Sequence, residues 1–442
     1  MTMATDAGFD MPEAPASVEE TGVPADLILQ LVVKTLHFSG DLTGTELASR
    51  LGVLFPVVEP SLDFLKKQRH VEIAGGGMLG APSYRYRLTD AGHSRAALFF
   101  EQSQYVGQVP VPLDQYVTYM DEHGRDRSLV VTRQAVRNAF SHLVLSDKIL
   151  DQLGPALAAR HSLFVYGPPG NGKTVISQAV RNVLVGDIAI PYALVVDGHV
   201  IRVFDAVSHE PIETPESDKG LGLERSRSQP DHRWIRCRRP LVTAGGELTL
   251  DALELGYSPS TGMYRSPLHL MANGGVLVID DFGRQHVSPR SLLNRWIVPL
   301  DRGIDYMTLH TGQKFSVPFE TFVVFATNLR PNDLVDEAFL RRIQYKVLAE
   351  SPTLEEFAQI FKNYCASQDL VFDPALVHDL IDNELKPRHV APRGCQPKNL
   401  IDHSLALASY LDQPRALTSE LLAAACALYF IDDEEGDGAG GH

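Results

Sequence analysis

The sequence predicts an α/β fold with a parallel sheet, and three stretches predict it. Residues 163–166 (Leu-Phe-Val-Tyr) are a short apolar run followed by a Gly-rich loop, Gly167-Pro168-Pro169-Gly170-Asn171-Gly172-Lys173-Thr174. Val175, Ile176, Ala179, Val180, Val183 and Leu184 then recur at helical spacing. Residues 276–279 form a second apolar run, ending in Asp280 and Asp281, and residues 322–326 form a third, ending in Thr327 and Asn328. Short continuous apolar runs of this kind mark strands covered on both faces, and such sheets hold ligands at their carboxyl ends.

The first stretch fits G-x-x-x-x-G-K-[ST] in its required order of strand, loop and helix. Glycines let a backbone approach phosphates closely and turn its N–H groups toward them, and the helix N-terminus adds partial positive charge. Lys173 would reach the β- and γ-phosphates of a nucleotide, and Thr174 would ligate Mg²⁺. Asp280 would hold the Mg²⁺ shell, and Asp281 would orient and polarise an attacking water. Lys173 and Asp280 are 107 positions apart, far more than one βαβ unit of about 30 residues consumes.

Composition narrows the class. At 442 residues, with 44% hydrophobic and 21% charged residues, the chain reads as two or three globular domains. A formal net charge of −15 argues against a general nucleic-acid coat. No apolar run approaches the roughly 20 residues that span a bilayer, and no signal peptide is evident, so a cytoplasmic protein without membrane insertion is expected. Cys237, Cys365, Cys395 and Cys426 are scattered without C-x-x-C spacing, which suits free thiols.

In chain order, residues 1–22 are rich in Ala, Pro, Glu and Gly and read as a disordered leader. Residues 23–103 read as a small domain of three helices, a β-ribbon and a last helix. The second helix, residues 43–51, has Thr45 as its expected cap, and the third covers 57–67. A turn is expected over 75–77 and an alternating strand over 84–88. Residues 104–134, with a Pro-containing stretch and the polar run 121–127, read as a linker. A main α/β domain then covers 135–350. One buried strand is expected over 188–197, then a polar loop over 213–231. The basic-aromatic run 233–239 fits either a solvated strand beside an acidic neighbour or a substrate or subunit contact.

Ser288 and Pro289 open a helix as N-cap and first turn, and residues 306–319 read as a hairpin turning at 311–314. Asn328 could contact a γ-phosphate or position water, although Asn is also a common turn former. Arg341 and Arg342 present adjacent guanidiniums suited to phosphate oxygens, or to a surface ion pair. Residues 351–431 read as a helical lid, opened by a capping box at Thr353 and Glu356 and carrying Lys398, which could reach the nucleotide. An acidic tail covers 432–442, expected to be disordered.

Over residues 135–430 the chain resembles the AAA+ ATPases. The motifs are those at 167–174, 276–281, 325–328 and 336–342, which resemble Walker A, Walker B, sensor 1 and the arginine-finger helix. Residues 396–400 (Gln-Pro-Lys-Asn-Leu) resemble the sensor 2 element. The hairpin before residues 325–328 and the Asn273-Gly274-Gly275 lead-in are similar to the MoxR and enhancer-binding branches. Two departures stand out: Asp281 replaces the usual Glu, and Lys398 replaces the usual Arg. The enhancer-binding Gly-Ala-Phe-Thr-Gly-Ala loop is absent. Residues 23–103 resemble a winged helix-turn-helix, on the order of elements and the phrase at 86–92.

The resemblance implies a P-loop NTPase fold with a helical lid and an N-terminal winged-helix domain. It implies ATP and Mg²⁺ as ligands, ATP hydrolysis in a homo-oligomeric, hexameric ring, and an arginine finger, Arg341 or Arg342, supplied by a neighbouring subunit. It also implies a protein client or adaptor recruited by the winged helix. The competing expectation is an ATP-switched DNA-binding transcriptional regulator. Residues 26–101 hold eight acidic and eight basic residues, which favours protein docking over DNA. A third reading, a scaffold that binds nucleotide and hydrolyses it poorly, follows from Asp281.

Overall fold

The computed structural model describes residues 9, 11–75, 80–124, 130–160, 162–212, 229–334 and 340–430. The expected turn at 75–77, the run at 121–127, the loop at 213–231 and the stretch 336–339 lie wholly or partly outside these residues, as does the acidic tail. The chain divides into two compact units. One comprises 1–129, 184–278 and 285–323; the other comprises 130–183, 279–284 and 324–442. The expected 135–350 domain is therefore shared between them.

In the first unit, helices Ala25–Ser39, Gly44–Arg50 and Phe55–Lys67 and helix Asp90–Gln102 surround a three-stranded antiparallel sheet. Strand Arg85–Leu88 is its centre, pairing Tyr86 with Leu42 and Leu88 with Val71. The cap of the second helix is Thr43, not Thr45. Thr43 and Glu46 form a reciprocal capping box, and Thr45 instead donates to the Pro82 carbonyl.

Residues 11–22, expected as a disordered leader, are packed. Helix Val18–Thr21 is capped by Ser17, Thr21 is fully buried, and the Asp231 N–H donates to the Pro12 carbonyl. Remote partners supply the hydrogen bonds that local composition does not promise. The expected linker is also structured. Strand Val111–Pro112 leads into helix Leu113–His123, which buries Tyr116, Tyr119 and Met120 at i, i+3 and i+4.

The single strand expected over 188–197 is two. Asp187–Pro191 pairs antiparallel with Trp234–Arg238, whereas Ala193–Val196 joins a five-stranded sheet. In that sheet Val111–Pro112, Ala193–Val196, His199–Arg202, Met263–Arg265 and Gly256–Ser258 lie side by side in this order. Ala193, Val195 and Val200 share a hydrophobic core with the N-terminal helices. The basic-aromatic run is structural. Arg233 and Asp231 form a buried ion pair at 2.8 Å, Arg236 pairs with Asp187 at 2.6 Å, and Arg239 donates to the Gly124 and Gly274 carbonyls.

The hairpin is Ile304–Thr308 with Lys314–Pro318. Asn273 anchors its base, donating to the Pro318 carbonyl at 2.9 Å and accepting from the Glu320 N–H at 2.7 Å. At its tip the ring of His310 stacks on Tyr257 with centroids 4.0 Å apart and bonds to the Tyr264 hydroxyl.

In the second unit, strand Leu163–Tyr166 lies between two parallel neighbours. Residues 324–327 pair with it on one side, and Tyr345–Leu348 on the other. Phe164, Phe282 and Phe325 pack their rings together with centroids 5.1–5.8 Å apart. Helices Asp147–Ala159 and Lys173–Ala179 accompany the sheet. The C-terminal helices Leu354–Ser367, Pro374–Asp379, Gln396–Tyr410 and Ser419–Tyr429 close on a core including Phe357, Phe361, Leu400, Leu422 and Cys426. Thr353 and Glu356 form the expected capping box.

Candidate nucleotide site

The side chains of the candidate site all belong to the second unit. The loop 167–172 turns because its glycines adopt left-handed backbone. Gly167 has φ 140° and Gly170 has φ 82°. A Cβ on Gly167 would stand 2.6 Å from the Ala349 carbonyl oxygen, and one on Gly170 would stand 2.6 Å from Cys395 Sγ. Both positions are thus closed to larger residues, by dihedral and by space.

Lys173 begins the helix that follows, and its Nζ donates to the Pro168 carbonyl at 2.9 Å. Burial pulls the Lys173 pKa below the usual lysine value. Asp281 and Asp280 pull it back up, and Arg284 pushes it further down. Thr174 Oγ1 donates to Asp280 Oδ2 at 2.7 Å, across 106 positions of sequence. That contact puts a hydroxyl oxygen beside a carboxylate oxygen, the all-oxygen donor set that Mg²⁺ takes alongside water and phosphate.

Asp280 and Asp281 follow directly on strand Val276–Ile279. Their segment is tied to the neighbouring strand: the Phe282 N–H donates to the Ala326 carbonyl at 2.7 Å, and Thr327 Oγ1 donates to the Phe282 carbonyl at 2.7 Å. Asp281 has φ 47°, a left-handed conformation that Asp tolerates better than most residues. Its carboxylate is exposed and accepts from Asn328 Nδ2 at 3.1 Å. The structure thus brings together Lys173, Thr174, Asp280, Asp281 and Asn328.

Other candidates stand apart. Lys398 is exposed on the first turn of Gln396–Tyr410, and the residues that pack against Gly170 are instead Arg393 and Cys395. The Cys395 N–H donates to the Gly170 carbonyl at 2.8 Å, and the Arg393 side chain lies within van der Waals reach of a Gly170 Cβ. Arg341 is exposed and Arg342 partly so, shortly before strand Tyr345–Leu348.

Sequence reasoning passed over two cations. Arg284 follows Gly283 in a turn closed by its own N–H to the Asp281 carbonyl at 2.9 Å. Arg393 precedes the helix that carries Lys398. The Gly beside each (Gly283, Gly394) was the available turn signal.

Beside the loop lies a cavity of about 160 Å³. Val144, Leu145, Ile149, Ile176 and Ile360 give it apolar walls, and Asn171 and Ser351 give it polar ones. Asn171 Nδ2 donates to the Ala349 carbonyl and to Ser351 Oγ, while its Oδ1 is buried with no partner among the described residues. A purine would give that orphaned acceptor a donor, and the loop a phosphate for its N–H groups. The chain's donor set fits a Mg-nucleotide.

Comparison with known proteins adds the following. A family model described as "Domain of unknown function (DUF8689)" matches residues 353–428. An "AAA ATPase forming ring-shaped complexes" of Bifidobacterium longum (strain DJO10A) is 37% identical over 98 residues, 21% of this chain and 17% of that protein. A "Proteasome-activating nucleotidase" of Thermococcus gammatolerans is 32% identical over 88 residues, 20% of each. The chain thus spans a fifth or less of the length of these relatives. Among solved structures, NtrX from Brucella abortus in complex with ATP aligns with a TM-score of 0.40 at 13% identity, covering 66% of this chain and 56% of that one. The Thermotoga maritima RuvB Holliday junction branch migration motor aligns with a TM-score of 0.35 at 14% identity, covering 70% of this chain and 73% of that one. Among the described residues, no helix is long and apolar enough to cross a membrane.

Proposed function

We propose that this chain is an AAA+-type ATPase that binds and hydrolyses Mg-ATP in a ring of identical subunits, hexameric by the resemblance, and remodels a protein client. The observation that carries the reading is the 2.7 Å contact between Thr174 and Asp280, which joins the phosphate loop to the acidic strand end. The stretches shared with proteins named as ring-forming AAA ATPases and as a proteasome-activating nucleotidase support it.

In this reading the loop amides and Lys173 cradle the phosphates, Lys173 exchanging the Pro168 carbonyl for phosphate oxygen. Thr174 and Asp280 would hold Mg²⁺, which would supply neutralisation of the charge that builds on the phosphates. Asp281 polarises the attacking water, and Asn328 fixes the carboxylate that does so. The cavity at Asn171 takes the base. Arg393 brings lid charge toward the phosphates, in the role the sequence assigned to Lys398. Arg341 or Arg342 reaches the neighbouring subunit's nucleotide.

The N-terminal module has the element order of a winged helix and serves as a docking unit for a client or adaptor. Its third helix, Phe55–Lys67, exposes Pro56, Pro60, Asp63 and Phe64 along with Lys66 and Lys67, a mixed rather than basic surface. That supports docking over the DNA-regulator reading. The test of hydrolysis is phosphate release by wild type and Lys173→Ala. Wild type should release phosphate in a Mg²⁺-dependent manner and the variant should not; equal rates reject the reading.

A further inference from the structure

A second, larger cavity lies wholly within the first unit, between the N-terminal helices and the five-stranded sheet. Its volume is about 740 Å³, within the range of small-ligand and peptide side-chain sites. Aromatic rings dominate its walls: Phe38, Phe100, Tyr105, Tyr192 and Phe204. Tyr192 and Phe204 meet edge to face with centroids 5.3 Å apart. The Tyr105 hydroxyl is used internally, donating to the Gln108 carbonyl at 2.8 Å. The wall is fixed on the sheet side, because the Gln104 N–H donates to the Thr261 carbonyl at 2.8 Å and Gln104 Nε2 to the Ser260 carbonyl at 3.1 Å.

Three features distinguish this cavity from an ordinary gap. Phe38, at its rim, is 79% exposed, a large apolar side chain held in water. The lining contains Arg202 and no carboxylate, in a chain with 55 acidic and 40 basic residues. The Arg202 guanidinium is exposed and makes no ion pair or hydrogen bond with other described residues. Along the same wall, the main-chain groups of Val106 and Gly107 make no hydrogen bond with other described residues.

The geometry points to a docking site for an extended peptide segment of a protein partner, presenting an aromatic or long aliphatic side chain beside a carboxylate. The rings take the apolar side chain, Arg202 takes the carboxylate, and the unpaired groups of Val106 and Gly107 pair with the peptide backbone. Pairing of that kind with alternate side chains in pockets is how extended peptides are read. Unpaired main-chain groups favour a peptide, because a simple apolar ligand would leave them unsatisfied. This assignment rests on the recruitment part of the proposed function and not on hydrolysis.

The test is fluorescence polarisation with the full chain and labelled pentapeptides. One alternates Phe and Glu, a second alternates Phe and Lys, and a third alternates Ser and Glu. The Phe/Glu peptide should bind about tenfold more tightly than either control, the difference expected of one charge-assisted hydrogen bond or one buried ring. Arg202→Gln should lose about tenfold for the two Glu-containing peptides and leave the Phe/Lys peptide unchanged, and Phe38→Ala should weaken both Phe peptides. Both side chains are exposed, so neither variant should unfold the protein. Equal binding of the Phe/Glu and Phe/Lys peptides, wild-type affinity in Arg202→Gln, or no binding of any peptide would overturn the assignment. So would a Phe38-dependent self-association that competes with the peptide, which would mean that a second copy covers the cavity. The assay runs without nucleotide and is repeated in Lys173→Ala, which should bind as wild type does. A failure of hydrolysis therefore leaves this result interpretable.

Discussion

Gly170→Ala is the substitution that reads the candidate site most directly. Gly170 has φ 82°, and an alanine held there costs about 1–2 kcal/mol of backbone strain. Its new methyl would also stand 2.6 Å from Cys395 Sγ, so the cysteine must leave its rotamer, at about 1 kcal/mol. The loop and the start of the lid helix share the hydrogen bond from the Cys395 N–H to the Gly170 carbonyl, so they move together. The total, about 2–3 kcal/mol against the binding-competent loop, corresponds to roughly 30- to 150-fold weaker nucleotide binding. Cys395→Ala alone keeps the N–H and should bind nucleotide within about twofold of wild type. Added to Gly170→Ala, it removes the clash but not the strain, and should restore about fivefold. Titration of a fluorescent ATP analogue into all four proteins measures the cycle, with circular dichroism confirming the fold. Wild-type affinity in Gly170→Ala, or no rescue by Cys395→Ala, would refute the argument that loop and lid meet at this glycine.

Two further substitutions test separate parts of the chain. Asn328→Ala removes the 3.1 Å hydrogen bond to Asp281 and should lower kcat for ATP about tenfold while leaving KM unchanged, because it orients a carboxylate and touches no part of the base or loop. Lys34 is buried on helix Ala25–Ser39, with its pKa pulled by burial from 10.5 to about 8 and its Nζ donating to the Ser103 carbonyl at 3.0 Å. Between pH 8 and 10.5 the unfolded chain holds a proton that the folded chain has released, so stability should rise with pH across that window, by about 3 kcal/mol in all. Lys34→Met should abolish that rise. It should also stabilise the first unit at pH 7 by about 2 kcal/mol, once the carbonyl left unpaired is counted, as read from chemical denaturation at a series of pH values.

The parts of the fold that were legible in sequence are those whose signal is local. Strand, loop and helix around Lys173 carry their own periodicity and glycines, and so do the hairpin at 304–318 and the capping box at Thr353. The parts that were not legible depend on remote partners. Nothing near Pro12 announces that its carbonyl will accept from Asp231, and composition alone gave a disordered leader. The apolar run 188–196 contains no break in polarity, so it read as one strand. The break is conformational: the Tyr192 N–H goes to the Arg233 carbonyl, while its own carbonyl takes the N–H groups of Val203 and Phe204. Helix Leu113–His123 is a different case, since the i, i+3, i+4 spacing of Tyr116, Tyr119 and Met120 was present to be read. So was Glu46 three residues after Thr43. In the site, the resemblance of residues 396–400 to the sensor 2 element favoured Lys398, whereas Arg393 and Cys395 meet Gly170 only because the lid folds back onto the loop.

The Asp at 281 departs from the Glu of the family pattern, and its surroundings say what the shorter arm means. The backbone on both sides is fixed: the Asp281 N–H donates to Asp280 Oδ1 at 2.9 Å, the Phe282 N–H to Ala326, and the Arg284 N–H back to the Asp281 carbonyl. Asn328 directly follows the fully buried strand Phe322–Thr327, which fixes its backbone position. Glutamate would carry the oxygens about 1.5 Å farther along that fixed direction, one more carbon–carbon bond. If Asp281 polarises the water from its present position, Asp281→Glu breaks the Asn328 hydrogen bond and misplaces the base. The expected loss in kcat is tenfold to a hundredfold, against about 10²- to 10⁴-fold for Asp281→Asn. Phosphate release under saturating ATP measures both. A Glu variant as fast as wild type or faster would show that the carboxylate activates water from a position farther out than the one Asn328 holds, and the pairing of Asp281 with Asn328 would then be a resting arrangement rather than the catalytic one.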